Sequence, residues 1–149
     1  MTDSRSRILV VDDFPTGRRL LVHKLKENYE VTPAASGEEA IELASQQQPD
    51  LILLDVEMPG LDGFGTLETL RRGVIDHAVP VIFVTARNDK ESRNRGLAAG
   101  AVDFLTKPFD KEELLIKVTN HLALYEARKQ LASANRQMAE ELVMASDLQ

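Results

Sequence analysis

Five polar side chains stand just beyond short apolar runs, and their types form a coherent chemical set. Asp12 and Asp13 follow the run 8–11, Asp55 follows 51–54, Thr85 follows 79–84, and Lys107 lies just past 102–105. Three carboxylates drawn together repel one another, and a bound cation relieves that repulsion. Oxygen ligands favour a hard ion that keeps several waters, Mg2+ or Mn2+. An aspartate with the ordinary pKa of about 3.9 is ionised at pH 7 and can attack a phosphoryl group to give an aspartyl phosphate. Phosphoryl transfer asks mainly for positioning and charge neutralisation. Acids holding a metal on one side and Lys107 on the other meet that need, and the Thr85 hydroxyl can donate to a phosphoryl oxygen. Any one of these aspartates alone is most simply a turn residue or a helix cap. The combination of all five is what points to chemistry.

For these groups to meet, the runs must lie side by side with their ends at one edge. Helical spacing over about 15–27 places Leu20, Leu21 and Leu25 on one face, with Arg18, Arg19, Lys24 and Lys26 outward. Residues 29–34 read as a short strand with Val31 buried. Ser36, with Glu39 three residues later, opens a helix whose apolar face is Ile41, Leu43 and Ala44. The run 51–54 is apolar throughout, as in a strand buried on both faces. A turn-rich loop over 56–63 precedes a helix over 64–72. Strand 79–84 is followed by a polar helix over 89–99, which Gly100 closes. After strand 102–105, Asp110 caps the last helix, with Glu113 three residues on. Five strands alternating with five helices predict an α/β domain, its parallel sheet covered on both faces. Ligands of such sheets sit beyond the carboxyl ends of the strands.

Composition narrows the possibilities. A chain of 149 residues suits one domain. Hydrophobic residues make up 43% and charged residues 28%, as in soluble globular proteins. The net charge of −6, with no block of like charges, argues against direct nucleic-acid binding. The absence of cysteine excludes disulfides, thiolate catalysis and cysteine-held metals. No apolar run approaches the length of about 20 residues that spans a bilayer. The start, Met1-Thr2-Asp3-Ser4-Arg5, lacks an apolar signal region, so a cytoplasmic location is expected.

The segments Val10-Val11-Asp12-Asp13, Leu54-Asp55-Val56-Glu57-Met58-Pro59-Gly60-Leu61-Asp62-Gly63, Val84-Thr85-Ala86 and Phe104-Leu105-Thr106-Lys107-Pro108-Phe109 resemble the receiver domain of bacterial two-component response regulators. The resemblance covers residues 6–124. It implies a flavodoxin-like, doubly wound five-stranded sheet of order 2-1-3-4-5. It also implies roles. Asp55 would be the phosphoacceptor, served by a histidine kinase or phosphotransfer protein. Asp13, Asp55 and the Glu57 carbonyl would ligate Mg2+ (or Mn2+), with Asp12 acting through water. Lys107 would pair with the phosphoryl group, and the Ala86 N–H would bond the same oxygens. Thr85 would move to bond the phosphoryl group, and Phe104 would be the switch aromatic that swings inward behind it. The Lys107–Pro108 bond would be cis. Glu57 and Arg87 would pair across the mouth of the site and lengthen the phosphorylated lifetime by blocking water. The protein would then be a signalling switch with slow autodephosphorylation rather than a turnover enzyme. Two alternatives are a phosphate-independent interaction module and an aspartyl-phosphate hydrolase. The hydrolase would want an acid two residues after the nucleophile in an Asp-x-Asp pattern, where this chain has Asp55-Val56-Glu57.

The last helix runs on without Gly or Pro. Leu124, Ala127, Leu131, Ala134, Met138, Glu141, Ala145 and Leu148 recur at alternating spacings of three and four. That is a heptad stripe, weakened by its alanines and by Glu141. It predicts a helical linker over 125–149 that pairs two protomers; the alternative is a helix packed on its own domain. The tail is similar to linkers that precede PP2C-type phosphatase domains and is also compatible with one before a diguanylate cyclase, so an output domain beyond it is expected. Met58, Phe64 and Leu67 read as core. His23, His77 and His121 read as surface or packing residues.

Overall fold

The computed structural model describes residues 5–87 and 89–147. Elements alternate along the chain: β1 (Arg7–Val11), α1 (Pro15–Leu25), β2 (Glu30–Ala34), α2 (Gly37–Gln46), β3 (Leu51–Leu54), α3 (Gly63–Arg71), β4 (Val81–Thr85), α4 (Lys90–Ala99), β5 (Asp103–Thr106) and α5 (Lys111–Asp147). The strands form one parallel sheet of order β2-β1-β3-β4-β5, the flavodoxin-like order. The stretch 1–4, which bears on a signal segment, and Leu148 of the heptad stripe lie outside the described residues.

Helix starts follow local cap chemistry. Ser36 accepts from the Glu39 N–H, Asp62 from Gly65, Asp89 from Ser92 and Asp110 from Glu113. Each satisfies a donor that the first helical turn leaves open. α1 begins differently, with Pro15 in its first turn and the Phe14 N–H given to Asp12 Oδ1 at 2.9 Å. Gly100 closes α4 at φ 110°, the left-handed conformation that a Cβ disfavours.

Alternation along the strands builds two cores. Leu9, Val11, Ile52, Leu54, Val81 and Phe83 face α2, α3 and α4, where Ala40, Ala44, Phe64, Leu67 and Leu70 meet them. Ile8, Val10, Leu51, Leu53, Ile82 and Val84 face α1 and α5, against Leu21, Leu25, Leu114, Val118 and Leu122. Met58, Phe64 and Leu67 are buried, as the sequence predicts.

Two expectations fail. Val31 is only half-buried, because β2 is an edge strand and lacks a neighbour on one side. Leu20 is exposed, because one turn of α1 can present only Leu21 and Leu25 squarely to the sheet. Burial on α5 reaches Tyr125, which joins the core on the sheet's other face where the helix passes the end of the strands. From Ala127 to Leu142 every residue is exposed, so this part of the stripe does not pack on its own domain. No helix among the described residues is long and apolar enough to cross a membrane.

Candidate phosphoacceptor site

The sheet itself sets the backbone of the site. One residue past each strand, the ladder adds a further rung: the Asp12 N–H donates to the Ala34 carbonyl (3.1 Å), Asp55 to Val11 (2.9 Å) and Lys107 to Thr85 (2.8 Å). The polar side chains therefore leave from backbone as rigid as the strands. They meet although Asp12 and Lys107 lie 95 residues apart.

Asp12, Asp13 and Asp55 each offer an oxygen within 4.8 Å of the others. Asp12 is almost wholly buried and Asp55 nearly so, at 1% and 8% exposure. Lys107 Nζ stands 3.3 Å from Asp12 Oδ2 and 3.7 Å from Asp55 Oδ2. Asp55 Oδ1 accepts from the Glu57 N–H at 3.2 Å. Burial pushes the Asp55 carboxyl up to about 6; Lys107 opposes that rise, and Asp12 and Asp13 add to it. A Cβ on Gly17 would stand 2.7 Å from Asp12 Oδ2, so glycine there keeps α1 close without crowding the carboxylate.

The donor set fits a divalent hard cation. Three carboxylates share one ammonium, which leaves a formal charge of −2 when all are ionised. Every nearby ligand atom is oxygen, the type Mg2+ takes. Asp12, Asp13 and Asp55 are the residues that could hold it.

The remaining predicted residues surround this centre. Thr85 is buried, and its Oγ1 accepts from the Arg87 N–H at 3.0 Å, which leaves the hydroxyl proton free to donate. Ala86 is exposed at the end of β4. Phe104 is already inward, 6% exposed, with its ring centroid 5.5 Å from that of Phe83. The Arg87 Nε–Glu57 Oε1 pair closes at 2.9 Å, with both side chains more than half exposed. The Lys107–Pro108 bond is cis.

A second polar cluster lies on β5, away from the acids. Asp103 accepts from Lys117 Nζ at 2.9 Å and sits 3.1 Å from His121 Nε2, while Lys117 also donates to the Phe104 carbonyl at 2.8 Å. Asp103 and Lys117 carry no signal of their own along the chain, and His121 reads there only as a surface or packing residue. The four-residue spacing of Lys117 and His121 on one helix face is the signal that could have paired them.

Comparison with known proteins supplies the family and agrees with the fold. Residues 8–119 match the response regulator receiver domain family, and the chain belongs to that family. The response regulator PleD of Caulobacter vibrioides is 43% identical over 136 residues, covering 88% of this chain and 30% of PleD. Protein PilH of Pseudomonas aeruginosa is 40% identical over 119 residues, covering 79% of this chain and 98% of PilH. This chain thus spans under a third of the length of PleD and nearly all of PilH. Among solved structures, the CheY-like receiver protein of Methanospirillum hungatei superposes with a TM-score of 0.79 at 29% identity, covering 84% of this chain and 99% of that one. Chemotaxis protein CheY4 of Vibrio cholerae gives 0.75 at 32%, covering 78% and 98%.

Proposed function

We propose that this receiver domain is a phosphorylation-operated switch in which Asp55 takes a phosphoryl group from a histidine kinase or phosphotransfer protein. One observation carries the reading: Asp55 is buried at a rigid strand end, between a lysine ammonium and two further carboxylates. In the step, an Asp55 carboxylate oxygen forms a bond to phosphorus as the donor's N–P bond breaks. The bonding pair leaves with the donor imidazole, which takes up a proton. Asp13, Asp55 and the Glu57 carbonyl would hold Mg2+ or Mn2+, with Asp12 acting through water, and the ion would supply neutralisation of the phosphoryl oxygens.

The chain's own groups do the rest. Lys107 orients and neutralises the transferred group from the β5 side, replacing part of its pairing with Asp12. The Thr85 hydroxyl and the Ala86 N–H donate to phosphoryl oxygens, and Phe104 keeps the space behind Thr85 filled. Glu57 and Arg87 together screen the mouth from water and slow hydrolysis. An exposed ion pair contributes only about 0–1 kcal/mol, so this effect comes from blocking access.

Residues 6–124 act as the switch and 125–149 as the linker. The exposed Leu124, Leu131 and Met138 support a parallel coiled coil with a second copy. Phosphorylation acts by altering that pairing, in the cytoplasm, and the linker hands the change to an output domain. The tail sequence favours a PP2C-type phosphatase there.

The test is intact mass after incubation with acetyl phosphate and Mg2+, beside Asp55→Asn. The expected result is a single phosphoryl adduct that needs Mg2+ and is lost in the variant. No adduct together with no Mg2+ binding would leave a phosphate-independent module, and turnover of a phosphomonoester would point to a hydrolase.

A further inference from the structure

Helix α4 packs onto an aromatic row through a residue that has no side chain. Phe64 of α3, Phe83 of β4 and Phe104 of β5 stand in line, with ring centroids 5.3 and 5.5 Å apart. Gly96, in the middle of α4, is buried against this row. A Cβ there would stand 2.6 Å from Phe104 Cζ and 2.9 and 3.0 Å from Phe83 Cε2 and Cδ2. Carbon atoms pack at about 3.5–4.0 Å, so one ring or the helix would have to give. Glycine inside a helix is disfavoured against alanine, so the clearance comes at the expense of local helix stability.

The two rings differ in their freedom to move. Phe83 is fully buried on a central strand, with Phe64 and Phe104 on either side. Phe104 stands on the edge strand β5, with the exposed Arg93 guanidinium 5.9 Å from its ring centroid. It has a way out and Phe83 has none. Phe104 also lacks a hydroxyl, so packing alone decides its side. Phe83 and Thr85 share one face of β4, being two residues apart on a strand, so the filled row abuts the threonine.

We propose that Gly96 is a positioning residue: its missing Cβ opens the inward slot for Phe104, and through Phe104 it sets how readily Thr85 closes on a phosphoryl group at Asp55. The second half rests on the phosphorylation reading above; the first does not. A ring held outward most of the time lowers apparent affinity in proportion to its inward fraction. If alanine leaves Phe104 inward in about one molecule in ten, affinity for a phosphoryl mimic falls about tenfold.

The experiment places 3-fluorophenylalanine at position 104 for fluorine NMR and titrates the same protein with beryllofluoride and Mg2+. In Gly96→Ala the fluorine signal should move to a solvent-exposed position and beryllofluoride should bind about tenfold more weakly. In a Phe104→Leu background, without the fluorinated residue, Gly96→Ala should change beryllofluoride affinity little. An unmoved fluorine signal would overturn the proposal. So would an undiminished loss of affinity in the Phe104→Leu background, because the clash would then fall on Phe83. If Gly96→Ala alone fails to fold, recovery of folding by Phe104→Leu supports the slot, and failure of the double variant refutes it. A wild-type protein that binds no beryllofluoride would refute the switch reading while the fluorine signal still decided the slot.

Discussion

The carboxyl edge of the sheet and the far half of α5 break simple burial rules in opposite directions. At the edge, charge is buried: Asp12 and Asp55 are both inside, with one lysine between them. Along α5, Leu131, Met138 and Leu142 are each 60% exposed or more. Each region is left unbalanced, by net negative charge in one case and by uncovered apolar side chains in the other. They differ in how firmly they are held. The edge sits on ladder bonds that involve all five strands, whereas the tail is held by its own helix alone.

Core and tail substitutions should separate most widely. Leu67→Ala, in the buried contact of α3, should cost about 2–5 kcal/mol in denaturant unfolding. Leu131→Glu with Met138→Glu should leave unfolding within about 0.5 kcal/mol per residue but abolish self-association by sedimentation. A tail variant that unfolds as readily as the core variant would break the contrast.

Next comes the price of burying Asp55. Its folded pKa, about 6, lies above the ordinary 3.8, so the ionised carboxylate weakens the fold. That loss is absent below 3.8, grows between the two values and is complete above about 6. Asp55→Asn should therefore stabilise the protein at pH 8 by about 1–2 kcal/mol, allowing for water at the mouth of the site, and hardly at all at pH 4. Equal gain at both pH values would show that charge burial is not the cause.

Asp103 has the opposite sign. Burial opposes its ionisation, but the Lys117 and His121 hydrogen bonds prevail and hold its pKa below the ordinary value. Its contribution is present above the unfolded pKa and disappears as pH falls through the folded one. Asp103→Asn should cost about 0.5–1 kcal/mol at pH 7, less as the solution is acidified, since the cluster is partly solvated. Arg87→Ala should change stability little, by at most about 1 kcal/mol. It should nonetheless shorten the phosphorylated lifetime, read by the decay of the mass adduct; an unchanged lifetime would remove the water-blocking role of the Glu57 pair.

Much of this molecule was legible residue by residue. The caps at Ser36 and Asp110, the left-handed turn at Gly100 and the apolar run of β3 depend on neighbours a few positions away. So does the placing of Asp12, Asp55 and Thr85 at strand ends. Parallel strands then bring those ends to one edge, which is why the acidic cluster could be read before any coordinates. The heptad stripe was visible for the same local reason.

Tertiary structure decided whatever depends on how crossovers stack. Arg71 donates to the carbonyls of Asp76, His77 and Gly100, joining the ends of α3 and α4, and no periodicity announces that contact. The turn of Leu20 to solvent, the Asp103–Lys117–His121 cluster and the inward Phe104 beneath Gly96 are of the same kind. Local propensity and cap chemistry fix which elements form and where they end. The distances between side chains on different elements follow only once helices have settled on the sheet, because packing at contact distance is a property of all the partners at once.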